Sequence, residues 1–292
     1  MKRKIIFKYI LQLIILLFIS LFIGIFVTSS IENIYINKEI NSFKRKGIFQ
    51  EEMSSDTEKY YKVSRETWMN DTPSYIVMDG IMTYGGPGDI VVGMKSNVQN
   101  MPGITDMIEF FAGGHTSSVC FNENYDGVQY KSNHSIESKP ESGVRCVHNK
   151  FWNNVNYQTN VVCLRVKAST ETINNAFHFM CDQIGKKYNT SFIFNTKNRY
   201  YCSDLISRAY ESQGYTLNSD GFYTSVHDLI CSPLTYISFY KEYKKGISYY
   251  YYLGWMMYKI ILIDLDDTIF DFKSGEKNAL KESFDKYSLE FN

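Results

Sequence analysis

The sequence predicts an α+β domain, an antiparallel sheet with packed helices, preceded by one N-terminal transmembrane helix. Three observations lead there. Residues 9–27 form an apolar run interrupted only by Gln12, Ser20 and Gly24. From Pro73 the chain turns to short β-like runs punctuated by glycines, such as Ile90-Val91-Val92 after Gly85-Gly86-Pro87-Gly88. Two amphipathic helical patterns follow the strands. Composition narrows the function classes: 31 Lys+Arg balance 31 Asp+Glu, and 44% of the 292 residues are hydrophobic against 21% charged. A disordered polyelectrolyte is excluded, and a net charge of zero offers no field for nucleic-acid phosphates. The 24 Tyr and 20 Phe are ample for a core and an aromatic-lined groove.

Taking the elements in order, Lys2, Arg3, Lys4 and Lys8 precede the apolar run. At about 1.5 Å per residue the run reaches roughly 28 Å, close to the hydrocarbon thickness of a bilayer. The flanking cations orient the N-terminus to the cytoplasm. Residues 1–29 are therefore expected to be a single-pass cell-membrane anchor, with everything after it extracytoplasmic. A cleaved signal peptide is the alternative, with Val27-Thr28-Ser29 offering small residues, but the run exceeds the usual apolar core of about 7–15 residues.

Residues 30–72 mix charges with few apolar runs and are expected to be a stalk or linker, and residues 73–245 the globular domain. Within it, Val161-Val162-Cys163-Leu164 reads as a strand. Ile173, Ala176, Phe177, Met180 and Ile184 give a helix from Thr170 to about Lys187, capped by Ser169 or Thr170. A second helix begins near Cys202, with Leu205, Ile206, Ala209 and Tyr210 on one face and Gly214 as its stop.

Six cysteines (Cys120, Cys146, Cys163, Cys181, Cys202, Cys231) with no C-x-x-C spacing make neither a zinc site nor a disulfide scaffold, although export would permit disulfides. Cys202 stands out because it starts a helix, where free N–H groups and the dipole lower a thiol pKa. His115 follows Gly113-Gly114, at a strand entrance with bare backbone that a substrate or a cysteine can approach. Among the other histidines, His178 falls inside a helix, and His134, His148 and His227 occupy polar contexts typical of surface loops.

Five segments in order carry a resemblance: Pro87-Gly88-Asp89-Ile90-Val91-Val92, Gly114-His115, Ile136-Glu137-Ser138, Ile184-Gly185-Lys186-Lys187-Tyr188-Asn189, and Tyr201-Cys202-Ser203-Asp204-Leu205. The region from about 80 to 240 resembles the circularly permuted NlpC/P60 family of the YiiX and YaeF type, papain-like cysteine hydrolases whose histidine precedes the cysteine. The resemblance implies a permuted papain-like fold, Cys202 as nucleophile with its backbone N–H as an oxyanion donor, and His115 as base. A third polar residue would orient the imidazole; Glu137 is the choice, with Asn133 and Gln129 as fallbacks. Asn189 departs from the family, which commonly has aspartate there.

Lys259-Ile260-Ile261-Leu262-Ile263-Asp264-Leu265-Asp266-Asp267-Thr268 resembles the first motif of haloacid dehalogenase-like phosphatases, in which the residues at Asp264 and Asp266 do the chemistry. Too little chain follows for the later motifs, so residues 256–292 are expected to be a truncated segment of that type, with Asp264, Asp266 and Thr268 vestigial. They are expected to derive from two joined reading frames, with a strand and helix recruited by the first domain as the alternative.

The expectation is a membrane-anchored cysteine peptidase or amidase that cleaves an amide bond, in particular a peptide bond of cell-wall peptidoglycan. A lipid amidase or acyltransferase of the same fold and a silent peptide-binding module are the rivals. The expected partners are the amide substrate and the membrane, with no nucleic acid; no cofactor and no metal are called for.

Overall fold

The computed structural model describes residues 2–78, 80–94, 110–111, 113–154, 158–192, 196–218, 221 and 223–254. A helix α1 (Lys2–Arg45) leads into strands β1 (Gly47–Phe49) and β2 (Glu58–Val63), and a hairpin of β3 (Tyr75–Met78) and β4 (Ile81–Tyr84) follows. Next come β5 (Ile90–Gly93), β6 (His115–Val119), the small hairpin β7 (Asn124–Tyr125) and β8 (Val128–Gln129), β9 (His134–Lys139), β10 (Gly143–His148) and β11 (Asn160–Val166). Helix α2 (Thr170–Cys181), the short strands β12 (Lys187–Tyr188) and β13 (Arg199–Tyr200), and helices α3 (Cys202–Glu211) and α4 (Val226–Cys231) precede the final hairpin, β14 (Thr235–Lys244) and β15 (Ile247–Leu253).

Nine of these strands form one sheet in the order β1-β2-β15-β14-β11-β5-β6-β9-β10. Its pairings are antiparallel except β2 with β15, which run parallel, so the sheet is mixed where the sequence suggested an antiparallel one. Both faces are covered, which explains why β5 reads Ile90-Val91-Val92 without alternation. Ile90 and Val92 face the core built by α2 and α3, and Val91 faces the aromatic layer with Trp152, Phe239 and Tyr250. The parallel pair is held by its own side chains. Tyr60 stacks on Tyr250 and Tyr61 on Tyr251, with centroids 4.8 and 4.7 Å apart, at matching positions of the register. Aromatic cross-strand pairs of this kind resist a register slip, because a one-residue shift would send each ring to the opposite face.

Residues 9–27 of α1 expose their apolar side chains, as a segment long and apolar enough to cross a membrane would. The helix then continues unbroken. Ile36, Ile40 and Phe43, at i, i+4 and i+7, form one buried stripe within the main core. The expectation that residues 30–72 form a stalk is corrected here: that stretch supplies a docked helix end and two strands of the sheet. The reason lies in range. A three-residue stripe is too narrow to stand out among charges, and β2 finds its partner β15 nearly two hundred residues later. The phosphatase-like motif with Asp264, Asp266 and Thr268, with the whole of residues 256–292, lies outside the described residues.

At the entrance to β5, Asp89 and Arg165 make a fully buried bidentate ion pair, with Nε to Oδ1 at 2.6 Å and Nη2 to Oδ2 at 2.9 Å. The carboxylate also accepts from Ser238 Oγ and Gly86 N–H, while the guanidinium donates to the carbonyls of Asn70, Thr72 and Pro73. Every strong donor and acceptor of the pair is thus used, which is the condition for tolerating buried charge. Asp89→Ala would leave the guanidinium buried without its counter-charge. It is expected to cost about 3–5 kcal/mol in denaturant unfolding, and Asp89→Ala with Arg165→Met to cost clearly less than the single change.

Candidate active site

Gly113 has φ of 76°, and a Cβ there would come within 2.9 Å of Val226 Cβ on α4. Glycine is required twice over, by its left-handed backbone and by the close approach. The chain enters β6 at His115, whose ring is nearly buried and lies parallel to Trp152 with centroids 5.9 Å apart. In the β6–β9 register Ser117 faces Glu137, so His115 is the diagonal neighbour of Glu137 on the same face. Arg145 on β10 stands directly opposite Glu137. Three adjacent strands therefore align a guanidinium, a carboxylate and an imidazole in one row.

The distances make that row continuous. His115 Nε2 meets Glu137 Oε2 at 2.8 Å, and Arg145 donates from Nε and Nη2 to Glu137 Oε1 at 3.0 and 2.7 Å. Lys139 Nζ lies 3.7 Å from the same oxygen. With Nε2 engaged, Nδ1 is the ring nitrogen left to face Cys202, which lines the same groove as His115.

Cys202 is the first residue of α3, and its cap residue Tyr201 makes no side-chain capping bond, so the first N–H groups of the helix are not consumed there. The backbone of Thr116 and Ser203 beside the sulfur favours its charged form. Ser138 Oγ donates to Tyr200 O at 2.6 Å, Ser203 Oγ to Thr224 O at 2.7 Å, and Thr224 N–H to the Tyr201 hydroxyl at 2.9 Å. These bonds pin the residues on either side of Cys202 to β9 and to the segment before α4.

Burial alone would raise the Cys202 pKa, but the bond and charge of His115 outweigh it and hold the thiol below its ordinary value. Burial likewise works against a charged His115, yet contacts to Cys202 and Glu137 raise the imidazole to about 9. For Glu137 the desolvation cost is overcome by His115, Lys139 and Arg145, which bring it down to about 2. The arrangement favours a thiolate–imidazolium pair with a carboxylate behind it that stays ionised down to about pH 2.

Of the fallbacks for the third residue, Asn133 is buried and bonds His134 Nδ1 at 2.7 Å, and Gln129 lies exposed on β8 and bonds Glu123 O; neither contacts His115. His178 pairs with Glu123 and stacks on Tyr125. The expectation that His134, His148 and His227 lie in surface loops is corrected: the first two are on paired strands, and His227 is fully buried on α4, with Nδ1 3.6 Å from Glu32 of α1. Its polar neighbours Ser225 and Asp228 form the capping box of α4. Arg145 and Trp152 escaped the sequence reading. Arg145 had a faint signal, since Pro140 to Gly143 reads as a turn whose arms pair positions 137 and 145.

A groove of about 560 Å³ opens over the row, lined by Cys202 and His115 together with Tyr188, Phe192, Tyr201, Tyr223 and the Gly113-Gly114 backbone. Among the described residues no group of three or more His, Cys, Asp or Glu side chains could hold a metal ion.

Residues 88–229 match the family model of the permuted papain-like amidase enzymes, YaeF/YiiX, C92 family. A YaeF/YiiX-like permuted papain-fold domain thus occupies this part of the chain, and the match supports a hydrolase activity of the amidase type. The crystal structure of metalloprotein yiiX from Escherichia coli O157:H7, DUF1105, is 15% identical; the alignment covers 52% of this chain and 94% of that one, with a TM-score of 0.38. No curated protein matches the chain.

Iodoacetamide alkylation of Cys202, mapped by mass spectrometry across pH, is expected to proceed well below the free-thiol pKa of about 8.5, and in His115→Ala its midpoint should move up to or beyond that value. Stability should fall at both extremes. The contribution of Glu137 is present above its unfolded value of about 4.3 and is lost as pH falls toward 2. That of His115 is present below its unfolded value of about 6.5 and is lost as pH rises through about 9.

Proposed function

We propose, taking the permuted papain-like domain at residues 88–229 as the premise, that this protein is a membrane-anchored cysteine amidase in which Cys202 is the nucleophile, His115 the general base and acid, and Glu137 the residue that orients the ring. The observation that carries the proposal is the hydrogen-bonded row from Arg145 through Glu137 to His115, which ends in the groove that Cys202 also lines. The Cys202 thiolate attacks the amide carbonyl carbon, and the Cys202 backbone N–H at the start of α3 donates to the developing oxyanion. The His115 imidazolium gives its proton to the nitrogen, the C–N bond breaks, and an amine leaves. A thioester remains. Water, deprotonated by His115, attacks it, releasing the carboxylic acid and regenerating the thiol.

Glu137 serves this cycle by fixing Nε2 as the protonated nitrogen, so that Nδ1 faces sulfur, and by stabilising the imidazolium. Arg145 in turn holds the carboxylate on its far side. The exposed apolar half of α1 would span the bilayer, and the basic N-terminal residues favour the orientation with the domain outside. That location motivates a cell-wall peptide as one amide substrate and a membrane-borne amide as another.

The test is turnover of both substrate types, muropeptides and N-acyl amides, by the full chain in detergent. Cys202→Ala is expected to abolish hydrolysis, and His115→Ala to reduce kcat by about 10²–10⁴-fold. Glu137→Gln should reduce kcat less and shift the alkaline limb of the pH profile down from about 9. Full activity in both the Cys202 and His115 variants would refute the assignment.

A further inference from the structure

A second cavity of about 680 Å³ lies against α1, lined by Leu17, Leu21, Gly24, Ile25 and Phe111, with a polar end at Thr28, Ser29, Glu32 and Asp228. Tyr223 and Ser225 line it too, and the same two residues line the groove over Cys202. The cavities are therefore neighbours across a shared wall. From Leu17 to Glu32 the helix rises about 22 Å at 1.5 Å per residue, so the cavity runs from inside the apolar segment to the first polar turns beyond it.

The wall is tied to both sides. The Tyr223 hydroxyl donates to Phe111 O at 3.1 Å, Asn33 Nδ2 donates to Phe110 O at 2.9 Å, and the rings of Phe110 and Phe111 pack on Phe22 and Phe26 of α1. Phe111 lies just ahead of the Gly113-Gly114 entrance to His115. A Cβ at Gly24 would meet nothing within 4 Å, so the helix leaves open space where the cavity needs it.

We infer that this cavity holds the acyl chain of a membrane-resident amide and delivers its carbonyl to Cys202. The inference rests on the amidase reading and names its substrate class. An apolar channel beginning within the bilayer lets the chain enter without crossing water, while the polar end marks where the head emerges. The wall of Tyr223 and Ser225 shared with the groove that contains the thiol distinguishes this occupant from a second copy of α1, which would cover the helix but present nothing to Cys202.

The test uses the full chain in phosphatidylcholine vesicles with N-alkylmaleimides of two to twelve carbons, reading the labelling rate of Cys202 by mass spectrometry. Release of p-nitroaniline from acyl p-nitroanilides of the same chain lengths is followed in parallel. Labelling is expected to be at least tenfold faster with dodecyl than with ethyl maleimide, and Gly24→Leu, or independently Ile25→Phe, to reduce that ratio to within about twofold by filling the cavity. Partition into the bilayer is the same in all three proteins, so a ratio unchanged in both variants, or no chain-length effect at all, overturns the inference even if short anilides are hydrolysed. A chain-length effect abolished by the variants supports the cavity even if no anilide is cleaved, and in that case it is the amidase reading that fails. A shift from monomer to dimer on cross-linking that Gly24→Leu abolishes, with labelling rates unmoved, would assign the face to a second copy and overturn the inference.

Discussion

The buried pair of Asp89 and Arg165 ties together four separate segments of this protein. It joins the entrance of β5 to β11, engages β14 through Ser238, and ties down residues 70–73 through three carbonyls. Because β5 lies between β11 and β6, whatever positions β5 also positions the strand that begins at His115. A buried ion pair is a poor source of net stability, since desolvation consumes most of the Coulombic gain. Its value here is geometric: a planar fork with fixed hydrogen-bond directions specifies where four chain segments meet, which apolar packing does less uniquely.

The same logic reappears at the site with a different outcome. Arg145, Lys139 and His115 all face one carboxylate, Glu137, so its charge is over-compensated and its pKa is depressed despite burial. The imidazole beyond it is raised, and the thiol beyond that is lowered. Each member of this chain, reaching back to β10, favours the charged form of its neighbour. The sheet supplies the spacing, since facing and diagonal positions on adjacent strands are separated by distances that side chains of this length can bridge. Helix α3 supplies the sulfur from above, with its uncapped first turn turned to the same spot.

Helix α1 adds a constraint that papain-like chemistry by itself does not require. Its far half is apolar and exposed, while its near half is docked through Ile36, Ile40 and Phe43. The residues next to the Gly113-Gly114 entrance pack on the same helix. The groove is thereby held at a set distance from the apolar segment, without a flexible stalk between them.

Features that depend on local sequence are legible in the sequence itself. The long apolar run, the Ser169-capped helix, the apolar strand at Ile90-Val91-Val92, the glycines before His115 and the helix starting at Cys202 each follow from propensity, capping or periodicity within a few residues. Of the site residues expected from comparing their order with a family, His115 and Glu137 meet at 2.8 Å, and Cys202 lines the same groove as His115. What only the tertiary structure decided are the contacts between distant segments. The parallel pairing of β2 with β15, the docking of residues 36–43, the burial of His227, the arrival of Arg145 behind Glu137 and the cavity shared by α1 and Tyr223 all join residues whose individual neighbourhoods are unremarkable. The physical reason is that a sequence displays the preferences of each segment, while the choice among segments with similar preferences is made by burial, register and charge pairing that exist only once the chain has closed on itself.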